Sequence, residues 1–498
     1  MTAPAAAQVR FGEASGRWVI LATVLGSGMA FLDATVVNVA LPRIGDDLGA
    51  NLGDLQWVLN GYTLTLASFI LLGGSLADRF GRRRLFLLGT IWFAVASVLC
   101  GVAPNIETLI GARMLQGVGG ALLTPGSLAI ISASFTPGDR SRAIGAWSGL
   151  GGIAGAVGPF LGGWLIQVWT WRLVFLINVP LAAAVVWVTR RHVPESIDPT
   201  ASSKFDVPGT LLGALGLAGL TYASIAGGER GLDPVTLASA AVGVLSLAAF
   251  VWVERTSDHP LVPTGLFASR QFTVTNIVTF LVYGALGAVF FLLVLQLQVV
   301  SGFSPLEAGI SLLPMTLLML AFSARSGALA AKIGPRLQMT AGPLIAASGM
   351  LLMLRIGPDA SYATDVLPAV VLFGLGMTTL VAPLTATVLA SAPREHAGAA
   401  SGVNNAVART AGLLAVALLP PIAGLTGDVY RDPTAFAAGF HTAVWIGAGM
   451  LVLGGLLSAV GISNRTEGAE RQETEHCYSC PVEGPHLETV QPARVQRT

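Results

Sequence analysis

Apolar segments of about 20 residues recur along most of this 498-residue chain, and short polar stretches separate them. A helix of that length spans the hydrocarbon core of a bilayer. The composition agrees, because 53% of the residues are hydrophobic, only 11% are charged and the mean hydropathy is +0.71. The sequence therefore excludes an ordinary soluble fold and predicts an all-α integral membrane protein.

We predict fourteen membrane spans, and the loops between them differ in charge. Alternate loops contain about three times as many basic residues as the others, and the positive-inside rule places the basic loops in the cytoplasm. Because the number of spans is even, we expect both termini in the cytoplasm. We also expect no cleavable signal, because residues 1–17 are short and polar and the first apolar run contains Asp33. The predicted spans lie near residues 18–40, 55–77, 85–103, 108–131, 143–167, 173–189, 208–227, 235–253, 273–298, 306–328, 338–356, 366–390, 398–424 and 438–462.

A charged string follows the second predicted span, where residues 74–84 read GSLADRFGRRR. Gly81 permits the sharp reversal that a very short loop needs, and Asp78 precedes Arg82 by one helical turn, so the two can pair. A second copy, GALAAKIGPR at 327–336, lies roughly half a chain later but has alanine where the first copy has Asp78. We expect conformational roles for Gly74, Asp78, Arg79, Gly81 and Arg82.

The second copy predicts a duplicated membrane body. A proline-led basic string also precedes both the fifth and the thirteenth predicted spans, at 137–140 and 393–396. Spans 1–6 and 9–14 are therefore expected to form equivalent bundles with a substrate site between them, near the bilayer midplane. The predicted parts are a cytoplasmic lead 1–17, a first bundle 18–192, a linker with two extra spans 193–270, a second bundle 271–462 and a disordered tail 463–498.

Two charged residues fall inside predicted spans. Asp33 lies within the first span, in LDATVVNVALP, and an acid in hydrocarbon is unfavourable by several kcal/mol unless it is paired, protonated or wet. Arg113 opens RMLQGVGGA in the fourth span and needs a partner, for which Asp33 is the economical candidate if the first and fourth spans face the same central cavity, as we expect. Proton coupling is one interpretation of these two residues. The alternatives are a structural acid bonded to a neighbouring helix and an arginine that extends to the outer surface near Glu107.

The fifth predicted span is rich in glycine. Small residues let helices approach closely, and Pro159 bends the span because it removes a backbone hydrogen bond. The span could thus form a rocking surface between the bundles, or it could show ordinary small-residue packing. The stretch 149–154 fits a dinucleotide fingerprint, which we reject because no strand precedes it. The positions predicted to matter are Gly145, Gly158, Pro159, Gly162 and Gly163.

These strings resemble those of a known family. Residues 74–84 resemble the signature loop of the major facilitator superfamily, and the first-span string resembles that of the fourteen-span drug:proton antiporters. The R-x-x-Q-G-x-G string from Arg113 resembles the fourth-helix motif of that subfamily. The fifth span resembles a motif that marks exporters, with Ala154 in place of one family glycine. The resemblance covers roughly residues 18–462.

The resemblance implies a major facilitator fold, with two six-helix bundles plus two inserted helices. It also implies a non-enzymatic exporter in the plasma membrane that moves hydrophobic or amphipathic drugs and is driven by a proton gradient without a cofactor. In such proteins the acid at Asp33 is implicated in proton coupling or cation recognition, and the arginine at Arg113 is linked to proton transfer. The expected partners are membrane lipid, protons and small substrates, and the expected state is a monomer.

The sequence predicts less about the substrate than about the fold. Interior carboxylates are missing from the predicted spans of the second half, which favours neutral, singly charged or partly anionic amphiphiles. A net charge of +1 gives no indication of nucleic-acid binding, and a zinc knuckle around Cys477 and Cys480 is disfavoured, so we expect no metal. An importer, a metabolite exporter or a sensor without flux remain alternatives. The cavity candidates are Asn38, Trp57, Asn60, Tyr62, Gln116, Tyr283, Gln296 and Gln298.

Overall fold

The computed structural model describes residues 9–197, 206–257, 262–393 and 397–464, and within these ranges it contains fourteen helices long and apolar enough to cross a membrane. This number confirms the prediction. The candidate zinc residues Cys477 and Cys480 and most of the predicted tail lie outside the described residues. The helices are α1 (Ala14–Leu48), α2 (Leu52–Phe80), α3 (Arg82–Gly101), α4 (Ile106–Ser134), α5 (Gly138–Val168), α6 (Leu173–His192), α7 (Val207–Arg230), α8 (Pro234–Thr256), α9 (Arg270–Val300), α10 (Pro305–Ile333), α11 (Arg336–Arg355), α12 (Tyr362–Ala390), α13 (Gly398–Ile422) and α14 (Pro433–Gly461).

The helices form two bundles with an inserted pair. In the first bundle α4 packs on α2 and α3, and α1 packs on α5; in the second, α12 packs on α10 and α11, and α14 packs on α9 and α11. Helices α7 and α8 pack on each other, and α7 also contacts α2 and α13, one helix from each bundle. The predicted fold class, two six-helix bundles with two additional helices, is therefore confirmed.

Short polar motifs fix several helix ends. Asn51 and Asp54 form a capping box at the start of α2, and Ser304 and Glu307 form another at the start of α10. Helix α1 continues several residues beyond its predicted end near residue 40 and passes through Pro42 before it stops at Gly49, whose φ is +65°. The predicted end was wrong because a proline removes only one backbone hydrogen bond, and the burial of the following residues outweighs that loss.

The two bundles pack closely at one end, and along the other half of α5 the packing is looser. A Cβ atom placed on Gly163 of α5 would lie 2.5 Å from the carbonyl oxygen of Pro305 in α10, and Gln298 donates a hydrogen bond of 3.1 Å to the carbonyl of Val39. Along the other half of α5, Gly145, Gly149, Gly152 and Gly155 have no neighbour within 4 Å of an added Cβ. The closed end is the one predicted to be extracellular.

Candidate functional site

A buried ion pair joins α1 to α4 inside the first bundle. Arg113 Nη1 lies 2.6 Å from Asp33 Oδ2, and the two side chains are 1% and 0% exposed. The structure thus pairs the two residues that the sequence singled out. It also excludes the alternative in which Arg113 extends towards the outer surface, because its guanidinium points into the bundle.

The second carboxylate oxygen of Asp33 is bound by amides from two other positions. Gln116 Nε2 donates to Asp33 Oδ1 at 2.8 Å, and Asn178 Nδ2 on α6 donates to the same oxygen at 3.0 Å. Both amides also donate to Ser97 Oγ on α3, at 2.8 and 3.2 Å. Helices α1, α3, α4 and α6 therefore converge on one carboxylate, whose oxygens accept hydrogen bonds from Arg113, Gln116 and Asn178.

The guanidinium of Arg113 is held as firmly as its partner. Its Nε donates to the carbonyl of Val58 on α2 at 3.0 Å, and Nη1 also donates to Gln116. The ring of Tyr62 lies 4.4 Å from the guanidinium carbon and that of Phe175 lies 5.7 Å away, so both offer cation–π contacts. We refer to Asp33, Ser97, Arg113, Gln116 and Asn178 as the carboxylate cluster. Each of its charges has a partner, which is the condition for burial without a large energetic penalty.

The carboxylate cluster does not open into the space between the bundles. Asp33 faces the interior of the first bundle, whereas Phe31 and Ala34 on the same helix are exposed and Asn38 is partly exposed. We had expected Asp33 and Arg113 to face one central cavity. The structure corrects this expectation: helix periodicity places the acid on the opposite side of α1 from the exposed residues.

The structure separates the eight cavity candidates. Tyr62 and Gln116 contact Arg113, and Asn60 is 1% exposed within the same bundle. Trp57 instead packs near Tyr222 of the inserted α7, with ring centroids 6.4 Å apart. Of the remaining four, Asn38 donates a hydrogen bond to the carbonyl of Ala34, Gln296 to that of Ile356 and Gln298 to that of Val39, and Tyr283 packs on the core of the second bundle.

The charged loop between α2 and α3 is tied to the segment that follows α6. Gly81 breaks the helix with φ +110°, yet Arg82 Nη2 reaches back to Asp78 Oδ1 at 2.7 Å. The backbone N–H of Arg83 donates to Glu195 Oε1 at 3.0 Å, and that of Arg82 donates to the carbonyl of Ser196 at 3.0 Å. The sequence analysis missed Glu195, although an acid three residues past the sixth helix, in a chain with four loop arginines, was an available signal.

The second copy of the loop repeats this arrangement with a neutral acceptor. Gly334 has φ +85° and the N–H of Arg336 donates to Asn464 Oδ1 at 3.1 Å. Asn464 follows α14 by the same short distance at which Glu195 follows α6. Asn464 belongs to the segment that we predicted as a disordered tail; the structure places Ser463 and Asn464 against the second bundle, where the N–H of Ser463 donates to Gln271.

The glycine motif of α5 contacts two neighbouring helices, α1 and α10. Gly158 and Gly162 pack against Thr35 and Val36 of α1, with a Cβ on Gly162 placed 3.1 Å from a Val36 methyl group. Gly163 and Pro159 face the start of α10 in the other bundle. Gly145 and Gly74 have looser surroundings: nothing lies near Gly145, and only Pro125 lies near Gly74, 3.6 Å from an added Cβ. Arg79 stacks over the ring of Phe80 at 5.3 Å.

The fold and the buried ion pair define a multi-pass membrane carrier built from two bundles. Residues 23–416 match the family model of the Major Facilitator Superfamily, and the chain belongs to this superfamily. It is 38% identical to the puromycin resistance protein pur8 of Streptomyces alboniger over 91% of this chain and 93% of that protein. It is 35% identical to the tetracenomycin C resistance and export protein of Streptomyces glaucescens, over 84% of this chain and 78% of that protein.

Solved structures agree with the fold. A bacterial homologue of the human lysosomal transporter Spinster, in an inward-facing and unoccupied conformation, matches 92% of this chain and all of that chain with a TM-score of 0.63. The sequences are only 18% identical, so this likeness concerns the fold alone.

Proposed function

We propose that this protein is a proton-coupled exporter that removes hydrophobic or amphipathic drugs from the cytoplasm by alternating access. The named relatives support drug efflux, because two of them are resistance proteins and one is also an export protein. The observation that carries proton coupling is the buried Asp33–Arg113 pair. We also propose that the chain is a monomer in the plasma membrane. The charge asymmetry of its loops supports a cytoplasmic position for both termini.

Protonation of Asp33 would alter the contacts of α1 in the first bundle. A neutral carboxyl group no longer attracts Arg113, and the amide donors of Gln116 and Asn178 lose a charged acceptor. Because four helices meet at this carboxylate, the gain or loss of one proton changes how they hold together. The proton is thereby exchanged at a site enclosed by protein, and access to that site depends on the conformation of the bundle.

Helix α1 can pass this change to the second bundle. Thr35 and Val36 pack on the glycines of α5, and the carbonyl of Val39 accepts the hydrogen bond from Gln298 of α9. These contacts follow Asp33 within two turns on the same helix. A shift of α1 on protonation therefore acts directly on the closed end of the transporter, where the bundles must part for an outward opening.

Transport by purified protein in liposomes tests the proposal. Puromycin and tetracenomycin C are the first compounds to measure, and a gradient that is acidic on the extracellular side should drive export, which should stop or reverse under the opposite gradient, in vesicles of defined orientation. Asp33→Asn should lose gradient-driven export while it still binds drug, because the amide cannot exchange a proton. Asp46→Asn is the matched control: this acid lies on the same helix, is exposed, and is expected to leave export unchanged.

Two outcomes would contradict the proposal. Export that proceeds at the same rate with and without a pH gradient removes proton coupling. Full gradient-driven export by Asp33→Asn removes this residue from the coupling step. Uptake rather than export in right-side-out vesicles would favour the importer alternative.

A further inference from the structure

Arg409 lies on α13 of the second bundle and, like Arg113 of the first, is an arginine within a membrane-spanning helix. The surroundings of the two arginines differ. Its Nε atom is buried, and among the described residues no acceptor lies within hydrogen-bond distance of it. Among these described residues, no carboxylate forms an ion pair with its guanidinium. An arginine at membrane depth is normally paired or faces water. Arg409 is only part-buried, so it belongs to the wall of an open space rather than to a sealed core.

The direction of Arg409 follows from its neighbours on α13. Val403, Ala406, Val407 and Thr410 line an apolar cavity of about 430 Å³ against the inserted helix α7. Asn404 turns to α9, where it donates hydrogen bonds of 3.1 and 2.8 Å to Asn276 and Thr279. Arg409 lies on neither face. It shares the remaining face with the exposed Asn405, one turn earlier, and with Gly402, two turns earlier, on which an added Cβ would lie 3.2 Å from Leu71 of α2, so this face is directed towards the first bundle.

Two tyrosines flank Arg409 from opposite bundles. The hydroxyl groups of Tyr62 on α2 and Tyr283 on α9 lie within electrostatic range of its guanidinium. Neither supplies a counter-charge at neutral pH, because an ordinary phenol is then protonated. Asp33, the acid nearest the middle of the described spans, is already bound to Arg113. Among the described residues, Arg409 therefore has no ionised partner of opposite charge.

We propose that Arg409 binds an ionised oxygen of the transported compound, so that the preferred substrates are anionic amphiphiles with a carboxylate, phenolate or enolate group. The proposal rests on the drug-export function above. The guanidinium provides up to five N–H donors and a fixed positive charge, which suit such an oxygen better than they suit an amine.

Tyr62 connects this subsite to the carboxylate cluster. One face of its ring lies on Arg113, and its hydroxyl is within electrostatic range of Arg409. A substrate that binds Arg409 would thus act on Arg113 through Tyr62. Tyr62 would then connect the anionic group of the substrate to Arg113, the partner of Asp33.

Binding of matched probes at pH 7.5 to purified full-length protein in nanodiscs tests the subsite. The probes are pyrenebutyrate with pyrenebutanol, and dansylglycine with dansylglycinamide; in each pair only the ionised group differs. The wild type should bind each anion at least about tenfold more tightly than its neutral analogue, as expected for charge-assisted hydrogen bonds. Arg409→Gln should bring the affinity for the anion down to that for the analogue and leave the latter unchanged.

Three further variants and readouts separate binding from structure. Arg409→Lys should recover part of the anion preference, since it restores the charge but not the planar donors. Arg325→Gln is the matched control, because Arg325 is an exposed arginine on α10 that bonds to its own helix at Ala321. The melting temperature of Arg409→Gln should equal or exceed that of the wild type, whereas a structural role would lower it.

The proposal is overturned if the wild type binds both members of each pair equally, or if Arg409→Gln weakens anion and analogue alike. Its failure is distinguishable from failure of the export function, because binding is measured without a gradient. A protein with anion preference at Arg409 but no export would contradict only the transport proposal. Proton-driven export without any anion preference would contradict only the subsite.

Discussion

The two bundles share one architecture but treat charge in opposite ways. In the first bundle a buried arginine is matched by Asp33 and enclosed by amides, a hydroxyl and aromatic rings. In the second, Arg409 has a buried Nε without an acceptor among the described residues. A satisfied charge stabilises one arrangement of helices and is suited to switching by a proton. An unsatisfied charge next to an open space is suited to a ligand that supplies the missing partner.

The loops between the second and third helices of each bundle show the same contrast. Both loops turn at a glycine with positive φ, and both are held by a residue that follows the last helix of the bundle. That residue is the charged Glu195 in the first bundle and the neutral Asn464 in the second. Duplication thus preserved the geometry of the turn, whereas the charged contacts are concentrated in the half that contains the carboxylate cluster.

The largest effect is expected when one charge of the buried pair is removed. Arg113→Met leaves the carboxylate of Asp33 buried without its cation, which should lower the free energy of unfolding by about 3–5 kcal/mol. Arg409→Met removes a cation that has no partner, and the melting temperature should stay the same or rise. Thermal unfolding of both variants in the same detergent measures the difference. The double variant Asp33→Asn/Arg113→Gln should be more stable than Arg113→Met, because it leaves no isolated charge.

Equal melting temperatures for Arg113→Met and Arg409→Met would remove the distinction between a satisfied and an unsatisfied arginine. A loss for Arg409→Met as large as that for Arg113→Met would show that Arg409 has a structural partner.

A smaller effect is expected at the contact between the bundles. Gly163→Leu places a side chain where the backbone of Pro305 lies, so the closed end cannot form without a shift of α5 or α10. Export should fall sharply, and a cysteine introduced near this end should label faster with a membrane-impermeant reagent. Gly111→Leu is the control, since this glycine of α4 has nothing within 4 Å of an added Cβ. Unchanged labelling of Gly163→Leu would show that the two bundles do not close through this contact.

Much of this architecture could be predicted because hydrophobic segment length and loop charge report directly on membrane helices. The pairing of Asp33 with Arg113 was also predictable, since an isolated charge in hydrocarbon requires a partner and the candidates were few. The amide side chains that complete the site, above all that of Asn178, were not predictable. An asparagine in an apolar helix carries no sign of the direction in which it points, and α6 meets α1 only through tertiary packing.

The orientation of Asp33 was the main error of the sequence analysis. A charged residue in a transporter span invites the expectation of a central cavity, but the helical phase of α1 relative to its neighbours decides which side faces that cavity. The role of Glu195 was also not predicted from the sequence. Its contact with the loop at Gly81 spans more than a hundred residues of sequence, and the charge pattern alone did not select it from other loop acids.

The smallest effect is expected in the two loops, where the comparison between the bundles is most direct. Glu195→Ala removes an acceptor from the N–H groups of Arg83 and Ser196 and should lower the free energy of unfolding by about 1–2 kcal/mol; Asn464→Ala removes one from Arg336 and should lower it by about 1 kcal/mol. Hydrogen exchange at the amides of Arg83 and Arg336 measures each loop separately. Added salt should weaken protection in the first loop only, because only its acceptor is charged. Equal salt dependence in both loops would mean that the charge of Glu195 contributes nothing beyond the neutral hydrogen bond of its counterpart, and the contrast between the bundles would then be confined to the helices.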